Sequence, residues 1–456
     1  MKKLLLIPLA LLLAISLVAI GCPAEETTAP TTTPPTTTTP APEIPKEIRI
    51  GDTISYTGVL ATFGINNWGA QAAFEDINKQ GGIYVEEYNA RIPVRYITVD
   101  VASDPLKVAP LVEDLILREK VNFLGPHTEP PHMHQGVAMM AEKYKIPACI
   151  GTAVFESWMG LKESAGAEWH YTVGTGFHIA APFPEGDWRA GNPAYVMMDT
   201  WFGALEAFAG QTNKKVAVFA ADNADGRGWY MAFTGAAGAQ GYDCYRAEDL
   251  FGVFPEDTTD FTPIIEEWKD AGCEILWGNC AGPQFGILWK QCHVLGYQPK
   301  LVFATNAAAQ YQDIKAWGGD LPNGIGLEVF WSPSIQNAVG IGDTTPESLS
   351  QRFWDEYGEP WPQGIGWEYM NAQILCSAIE RAGTLDPDEV LDALYATDIN
   401  TIFGRVQFID GFHGHSVHFG QWQKTDKPWG WESPIVFSYD ENMPATADLI
   451  FPMPYD

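Results

Sequence analysis

After Lys46 the chain alternates short apolar strands with helical segments, and this alternation constrains the fold more than any other feature. In the first block, Ile48 to Gly51 and Ile92 to Val99 have the pattern of strands. Asp104-Pro105 supplies an N-cap and a first helical position for the helix that follows. The alternation restarts after Phe177. Two such blocks predict an α/β protein with two lobes, each a doubly wound parallel sheet.

The ends of the predicted strands indicate where a ligand binds. The second block has four predicted strands, which are Val216 to Ala220, Tyr242 to Tyr245, Ile275 to Trp277 and Leu301 to Ala304. Ligands of open α/β sheets bind beyond the carboxyl ends of the strands. In a two-lobed protein those ends face the cleft between the lobes, so the sequence predicts a small-molecule site in that cleft.

The N-terminus has the pattern of an export signal. Lys2 and Lys3 precede an apolar run from Leu4 to Ile20, which ends at Gly21-Cys22. This end resembles the lipobox of bacterial lipoproteins, and the resemblance implies cleavage before Cys22 and a lipid on its thiol. A plain transmembrane anchor is the alternative, because about 17 apolar residues can just span a bilayer. We therefore predict a signal peptide at 1–22 and a protein that is lipid-anchored outside the cytoplasm.

A Thr- and Pro-rich segment, residues 23–45, separates Cys22 from the folded part. It has no aromatic residue and no hydrophobic periodicity, so it cannot bury enough surface to fold. Pro-rich linkers extend by about 3.1 Å per residue. The segment is therefore predicted to be a disordered tether that holds the folded part away from the membrane.

The charge balance excludes two classes of partner. The chain has 27 Lys and Arg against 57 Asp and Glu, for a formal net charge of −30. Such a surface repels phosphate backbones and anionic lipid headgroups. We expect no nucleic acid and no electrostatic docking to membranes, which leaves the lipid anchor as the predicted membrane contact.

Six cysteines follow Cys22, and their spacing does not identify pairs. They are Cys149, Cys244, Cys273, Cys280, Cys292 and Cys376. Export permits disulfides, so buried thiols and one or two bridges both remain open. No CxxC pair occurs, which excludes the simplest zinc-ribbon and thioredoxin-like sites.

Four segments carry a family resemblance through their order along the chain. They are Ser55-Tyr56-Thr57-Gly58, Ile77-Asn78-Lys79-Gln80-Gly81-Gly82-Ile83, Asp260-Phe261-Thr262-Pro263-Ile264-Ile265 and Gly404-Arg405-Val406-Gln407-Phe408. In this order they resemble the branched-chain amino-acid type of ABC-transporter solute-binding protein, over nearly all of residues 46–425. The resemblance implies a type I periplasmic-binding-protein fold, whose lobes are joined by a hinge of three crossovers. It places lobe one at 46–175 plus 334–400, and lobe two at 176–333 plus 401–456.

The resemblance also implies a function. Proteins of this type use no cofactor; they close their lobes on a small molecule, and the permease subunits of an ABC importer recognise the closed form. The sequence has neither a P-loop nor a Rossmann glycine motif after a strand, and we expect no catalysis. A ligand sensor of the same fold is an alternative, although a sensor would normally be joined to a membrane-spanning signalling part.

Candidate ligand residues in lobe one come from positions that match the family. Phe63 stands where the family has an aromatic wall, and Thr128 stands near its carboxylate-binding serine. Thr152 and Ala153 match contacts to the backbone-like end of the ligand. Strand ends and helix N-termini offer free N–H groups to an anion, which suits these positions.

Lobe two departs from the family. Asp225 stands where the family has Tyr, and Asn306 lies where an acidic residue usually binds the ligand ammonium. Either Asp225 or Glu129 replaces the missing carboxylate, or the ligand carries no ammonium and is an amide or a hydroxylated or aromatic acid. Three large aromatic residues are further candidates for the cavity wall, with a place in the core as the alternative: Trp229, Trp331 and Tyr56.

Two clusters of histidines leave a metal-binding surface lipoprotein as an alternative function. The first consists of His127, Glu129, His132 and His134, and the second of His413, His415 and His418. Imidazole and carboxylate groups at short spacing can ligate zinc or copper. However, Pro130-Pro131 splits the first cluster, and strand alternation divides the second between two faces. A polar loop and a solvated hairpin are the structural alternatives.

Overall fold

The computed structural model describes residues 43–165 and 169–455. The predicted signal peptide, the lipidated Cys22 and nearly all of the 23–45 tether lie outside the described residues. Among the residues that are described, none of the helices has both the length and the apolar character needed to cross a bilayer.

The elements alternate along the chain as predicted. The strands are β1 (Ile48–Ile54), β2 (Ile83–Val85), β3 (Ala90–Ile92), β4 (Val94–Asp100), β5 (Phe123–Thr128), β6 (Ala148–Val154), β7 (Thr172–Phe177), β8 (Lys215–Ala221), β9 (Asp243–Cys244), β10 (Val253–Phe254), β11 (Ile275–Asn279), β12 (Leu301–Thr305), β13 (Ile325–Val329), β14 (Asp398–Thr401), β15 (Gly404–Gln407), β16 (Phe412–Gly414), β17 (His418–Gln421), β18 (Gln423–Lys424), β19 (Trp431–Glu432) and β20 (Ile435–Phe437). The helices are α1 (Trp68–Lys79), α2 (Pro105–Leu117), α3 (His134–Tyr144), α4 (Phe155–Ala165), α5 (Met197–Glu206), α6 (Ala224–Ala239), α7 (Thr262–Asp270), α8 (Gly282–Leu295), α9 (Tyr311–Trp317), α10 (Pro346–Tyr357), α11 (Gly364–Ala382) and α12 (Pro387–Tyr395).

Two large sheets organise the molecule. Sheet one has the order β16-β7-β6-β5-β1-β4, and all of its neighbouring strands are parallel. Sheet two has the order β10-β8-β11-β12-β13-β17-β20, with β9 paired to β8. It is parallel from β10 to β13 and antiparallel at β17 and β20. Two mainly parallel sheets in one chain confirm the predicted α/β fold.

The chain passes between the sheets three times. The first passage follows β7, the second follows β13, and the third lies between β16 and β17. The third passage lies later in the chain than the predicted boundary at 400/401. The reason is that β16 pairs in parallel with β7 and so belongs to sheet one. The lobe boundaries remain a proposal, in which residues up to Gly414 now go with lobe one.

Helix α11 carries lobe-one residues to the edge where the ligand site is expected. It packs against α1, and the two backbones approach closely at Gly69, where a Cβ atom would lie 2.1 Å from the carbonyl oxygen of Ile365. Only glycine fits such an approach. The N-terminal turn of α11 is thereby fixed against the start of α1.

The six cysteines after Cys22 are all unpaired in the part of the chain that the structure describes. Five are buried, and Cys244 is partly exposed. Burial raises the pKa of the Cys244 and Cys273 thiols to about 12. The structure therefore corresponds to the buried-thiol alternative.

Candidate ligand-binding cavity

A cavity lies where the carboxyl ends of strands from both sheets meet. Thr128, Thr152 and Phe177 line it from the ends of β5, β6 and β7, and Asn279 and Thr305 line it from the ends of β11 and β12. It encloses about 710 Å³ of space, including the part open to solvent.

Aromatic side chains form the apolar part of the cavity wall. Phe330 lies at the centre of this group, with its ring centroid 4.6 Å from that of Phe177 and 5.6 Å from that of Trp367. Phe63 and Trp229 complete the aromatic surface. Such a surface suits an apolar, flat or cationic ligand.

Asp225 lies in the first turn of α6, where the Asn223 side chain caps the helix by accepting from Gly226 N–H at 2.8 Å. Its Oδ2 accepts hydrogen bonds from the side-chain amides of Asn279 at 3.0 Å and Asn306 at 3.1 Å. Burial raises the pKa of Asp225, opposed by the two amides and by the nearby imidazole of His132. Asp225 is therefore largely satisfied by protein groups.

Glu328, on β13, is the second carboxylate of the cavity, and sequence reasoning missed it. Its side chain is 4% exposed. Oε1 accepts from the backbone N–H of Asn306 at 3.0 Å, whereas Oε2 has no partner with hydrogen-bond geometry. Burial raises the pKa of Glu328 to about 7, and the Asn306 N–H and the neighbouring Thr305 hydroxyl oppose this only in part. The available signal was one acid inside the otherwise apolar strand Ile325–Val329.

The wall formed by sheet one has few free donors. The Thr128 hydroxyl donates to the Pro126 carbonyl at 2.9 Å. The Thr152 hydroxyl lies 2.9 Å from the carbonyl oxygen of Glu129 and 2.8 Å from that of Gly151. Pro130 and Pro131, which also line the cavity, have no N–H. Thr152 has a φ of 52°, which is unfavourable for a β-branched residue and marks a locally strained turn.

Six of the nine predicted ligand residues lie together on the cavity. They are Phe63, Thr128, Thr152, Asp225, Trp229 and Asn306. Their assignment as ligand contacts stays a proposal, although the structure brings them to one place.

The other three predicted residues do not line the cavity. Ala153 is fully buried and packs in the core of lobe one. Trp331 is also fully buried, and its Nε1 donates to the carbonyl oxygen of Ile402 at 2.9 Å. Tyr56 is 39% exposed, and its hydroxyl lies within hydrogen-bonding distance of Asn67 and Thr98. Trp331 therefore follows its core alternative.

The proposed roles of His127 and Glu129 also need correction. His127 is buried, and its Nδ1 lies 3.1 Å from Asp52 Oδ1. The Glu129 carboxylate accepts from Ser55 N–H at 2.7 Å and from the Ser55 hydroxyl at 2.9 Å. Glu129 thus binds its own lobe and does not supply the carboxylate of the cavity. Within residues 43–165 and 169–455, no three His, Cys, Asp or Glu side chains are arranged to hold a metal ion, so the set with His132 finds no support.

Within the described residues, the second histidine cluster likewise lacks three side chains arranged to hold a metal ion. Its rings are buried, whereas the hairpin alternative predicted that they would be solvated. His413 lies beside Arg189, with its Nδ1 3.0 Å from the guanidinium, and His418 Nδ1 lies 2.9 Å from the Ser438 hydroxyl. Burial lowers the pKa of His413 to about 3 and that of His418 to about 4. These rings are neutral structural groups.

Comparison with known proteins gives the family. A family profile described as periplasmic binding protein matches residues 47–427. The chain belongs to the periplasmic binding protein family. Members of this family are extracytoplasmic solute-binding proteins and not enzymes.

Individual relatives of this binding protein have low identity and high coverage. A leucine-, isoleucine-, valine-, threonine- and alanine-binding protein of Pseudomonas aeruginosa is 22% identical over 370 residues, which are 77% of this chain and 83% of that protein. A leucine-binding protein of Thermotoga maritima superposes with a TM-score of 0.67 at 17% identity, covering 86% of this chain and 99% of that one. A solute-binding protein of an R. palustris ABC transporter, in complex with 4-hydroxybenzoate, has a TM-score of 0.64 at 18% identity, with coverages of 88% and 98%. The predicted type I fold and the family resemblance are confirmed.

Proposed function

We propose that this periplasmic binding protein captures a small organic solute in the cavity and delivers it to the permease subunits of an ABC importer. The observation that carries the proposal is a cavity built from the strand ends of two sheets, with an aromatic wall and a few convergent polar groups. The related proteins named above bind branched-chain and small amino acids or an aromatic acid.

Delivery requires a difference between empty and loaded protein. The two sheets are connected by three passages, which can act as a hinge. A solute that touches both walls binds the closed form better than the open one, and it shifts the population toward closure. The closed form is then the one that the importer recognises. Export, a lipid on Cys22 and a tether at 23–45 belong to the same proposal, supported by the sequence pattern alone.

A thermal-shift screen tests capture. The purified protein is heated with amino acids, amides, aromatic and hydroxy acids, amines or metal ions. A specific solute stabilises the folded state by about 2.7 kcal/mol at a hundredfold excess over its Kd. We expect a shift with an organic solute, and we expect Phe63→Ala to lose it because the aromatic wall is broken.

Tyr56→Phe serves as the control, because Tyr56 does not line the cavity, and this variant should keep the full shift. A protein that responds to metal ions alone, or to nothing in the panel, would contradict the proposed function.

A further inference from the structure

We propose that the solute carries a protonated nitrogen and that the carboxylate of Glu328 binds it. This inference rests on the proposed function, since it names the ligand class of the same cavity. Five buried side-chain atoms on the cavity lining have no hydrogen-bond partner: Glu328 Oε2, Gln310 Oε1, Asn66 Oδ1, the Thr305 hydroxyl and Trp229 Nε1. Three of them can only accept, and Trp229 Nε1 can only donate. Buried acceptors require donors, and a protonated nitrogen supplies them to the one of these acceptors that belongs to a carboxylate, Glu328.

The formal charges of the cavity lining also favour a solute with a positive charge. Asp225 and Glu328 both line the cavity, whereas no Lys, Arg or His of the described residues does so. The imidazole of His132, which does not line the cavity, lies close enough to Asp225 to act on its pKa. Asp225 also holds two amide donors, so the carboxylate with unused capacity is Glu328.

A second group of acids lies behind the sheet-one wall. Asp52, Glu129 and Glu368 are buried close to one another, and the imidazole of His127 is hydrogen-bonded to Asp52. Glu368 directly follows the cavity residue Trp367 in α11. Burial raises the pKa of Glu129 to about 7 and that of Glu368 well above its usual range, and the His127 imidazole lies 3.1 Å from the Asp52 carboxylate. This group therefore adds little charge, and the negative charge at the cavity comes from its own lining carboxylates, Asp225 and Glu328.

The aromatic wall also accommodates a positive charge. Glu328 and Phe330 are two positions apart at the end of one strand, and both line the cavity. Phe177 and Trp367 pack against Phe330. Aromatic faces attract cations by their quadrupole, most strongly where water is excluded. They also cover an alkyl or aryl body attached to the nitrogen.

The sheet-one wall argues against a carboxylate as the main determinant. Its two threonine hydroxyls already donate to backbone carbonyls, and Pro130 and Pro131 replace two possible N–H donors. An amine is therefore expected to bind nearly as well as the corresponding amino acid.

Matched ligand triplets test the inference by isothermal titration calorimetry on the full chain. One triplet is leucine, isopentylamine and 4-methylpentanoate, and the other is phenylalanine, phenethylamine and 3-phenylpropanoate; putrescine and 4-hydroxybenzoate are added. Loss of the ammonium is expected to weaken binding by about a hundredfold, as for a buried hydrogen-bonded charge. Loss of the carboxylate is expected to weaken it less than about tenfold, as for an exposed or partial contact.

Glu328→Gln should weaken the binding of the ammonium-bearing ligands by a similar factor. Glu441→Gln is the control, because Glu441 is an exposed acid that does not line the cavity, and it should leave these affinities unchanged. Ligands that bind only as carboxylic acids, with no effect of Glu328→Gln, would overturn the inference and leave the proposed function intact. Binding by none of the eight compounds would overturn both. The wild-type triplets decide between these outcomes even if a variant folds poorly.

Discussion

The two walls of the cavity use their polar atoms differently. On the sheet-one wall, the hydroxyls of Thr128 and Thr152 are hydrogen-bonded to neighbouring carbonyls. On the sheet-two wall, Asp225 and Asn306 form a network with Asn279, and Glu328 adds a carboxylate oxygen without a partner. The wall of lobe one has one neutral oxygen without a partner, Asn66 Oδ1, whereas the wall of lobe two has a carboxylate oxygen without one.

This difference separates two tasks that a binding site must perform. A wall whose polar groups are mostly hydrogen-bonded within the protein can contribute shape and apolar contact, but it forms few new hydrogen bonds when a ligand binds. A wall with a buried unpaired carboxylate oxygen discriminates strongly, because a ligand without the matching donor leaves that oxygen desolvated and unpaired. We therefore expect lobe two to determine which solute binds, and lobe one to determine how well its body fits.

Asp225→Leu should have the largest effect. The substitution removes the acceptor shared by Asn279 and Asn306 and leaves their amide hydrogens unpaired in a buried position. We expect a loss of ligand affinity of more than about a hundredfold and a loss of folding stability of about 2 kcal/mol. Calorimetric titration and urea unfolding measure the two quantities. Retained affinity would show that the sheet-two network is only structural.

A change in pH should have an intermediate effect. With a pKa of about 7, Glu328 is about one-tenth ionised at pH 6 and about nine-tenths ionised at pH 8. Alkylammonium ligands stay protonated over this range, so their affinity should rise about tenfold from pH 6 to pH 8. The charge of Asp225 contributes to the raised pKa of Glu328, and the nearby imidazole of His132 opposes the rise in the pKa of Asp225.

The stability of the ligand-free protein should follow pH in the opposite sense. The pKa of Glu328 in the folded state lies above its value of 4.5 in the unfolded chain, so the unfolded chain releases the proton first as the pH rises. Stability therefore falls between about pH 4.5 and 7. Glu129, whose pKa burial also raises to about 7, contributes the same trend. Glu328→Gln should remove the contribution of Glu328 to the pH dependence of both affinity and stability. If the affinity of this variant still rose about tenfold from pH 6 to pH 8, Glu328 would not be the group that binds the ammonium.

The fold could be predicted from the sequence because its signals are local. Strand and helix periodicity, the Asp104 cap and the order of the family segments each lie within a few residues. The position of β16 could not be predicted, because it depends on the pairing of three residues with β7 more than 200 positions earlier in the chain. Pairing at that distance depends on the assembled sheet and not on local pattern.

The site was predictable only in part, for a related reason. Phe63, Asp225 and Asn306 lie in the segments that follow β1, β8 and β12, where the fold class itself directs side chains toward the cleft. Trp229 and Trp331 look alike in sequence, but the first lines the cavity and the second packs against Gly366 in the core. Which surface a large aromatic side chain faces depends on tertiary packing, and sequence spacing does not record it.

Thr128→Val should have the smallest effect and tests the comparison of the two walls most directly. The hydroxyl donates to Pro126 and not into the cavity, so its loss should cost about 1 kcal/mol of stability and change ligand affinity less than about threefold. Thermal unfolding and calorimetry of the same preparation separate the two quantities. A loss of affinity of tenfold or more, with little change in stability, would mean that this hydroxyl turns toward the ligand on binding. The carboxylate-binding role expected from the family would then return to the sheet-one wall, and both walls would select the solute.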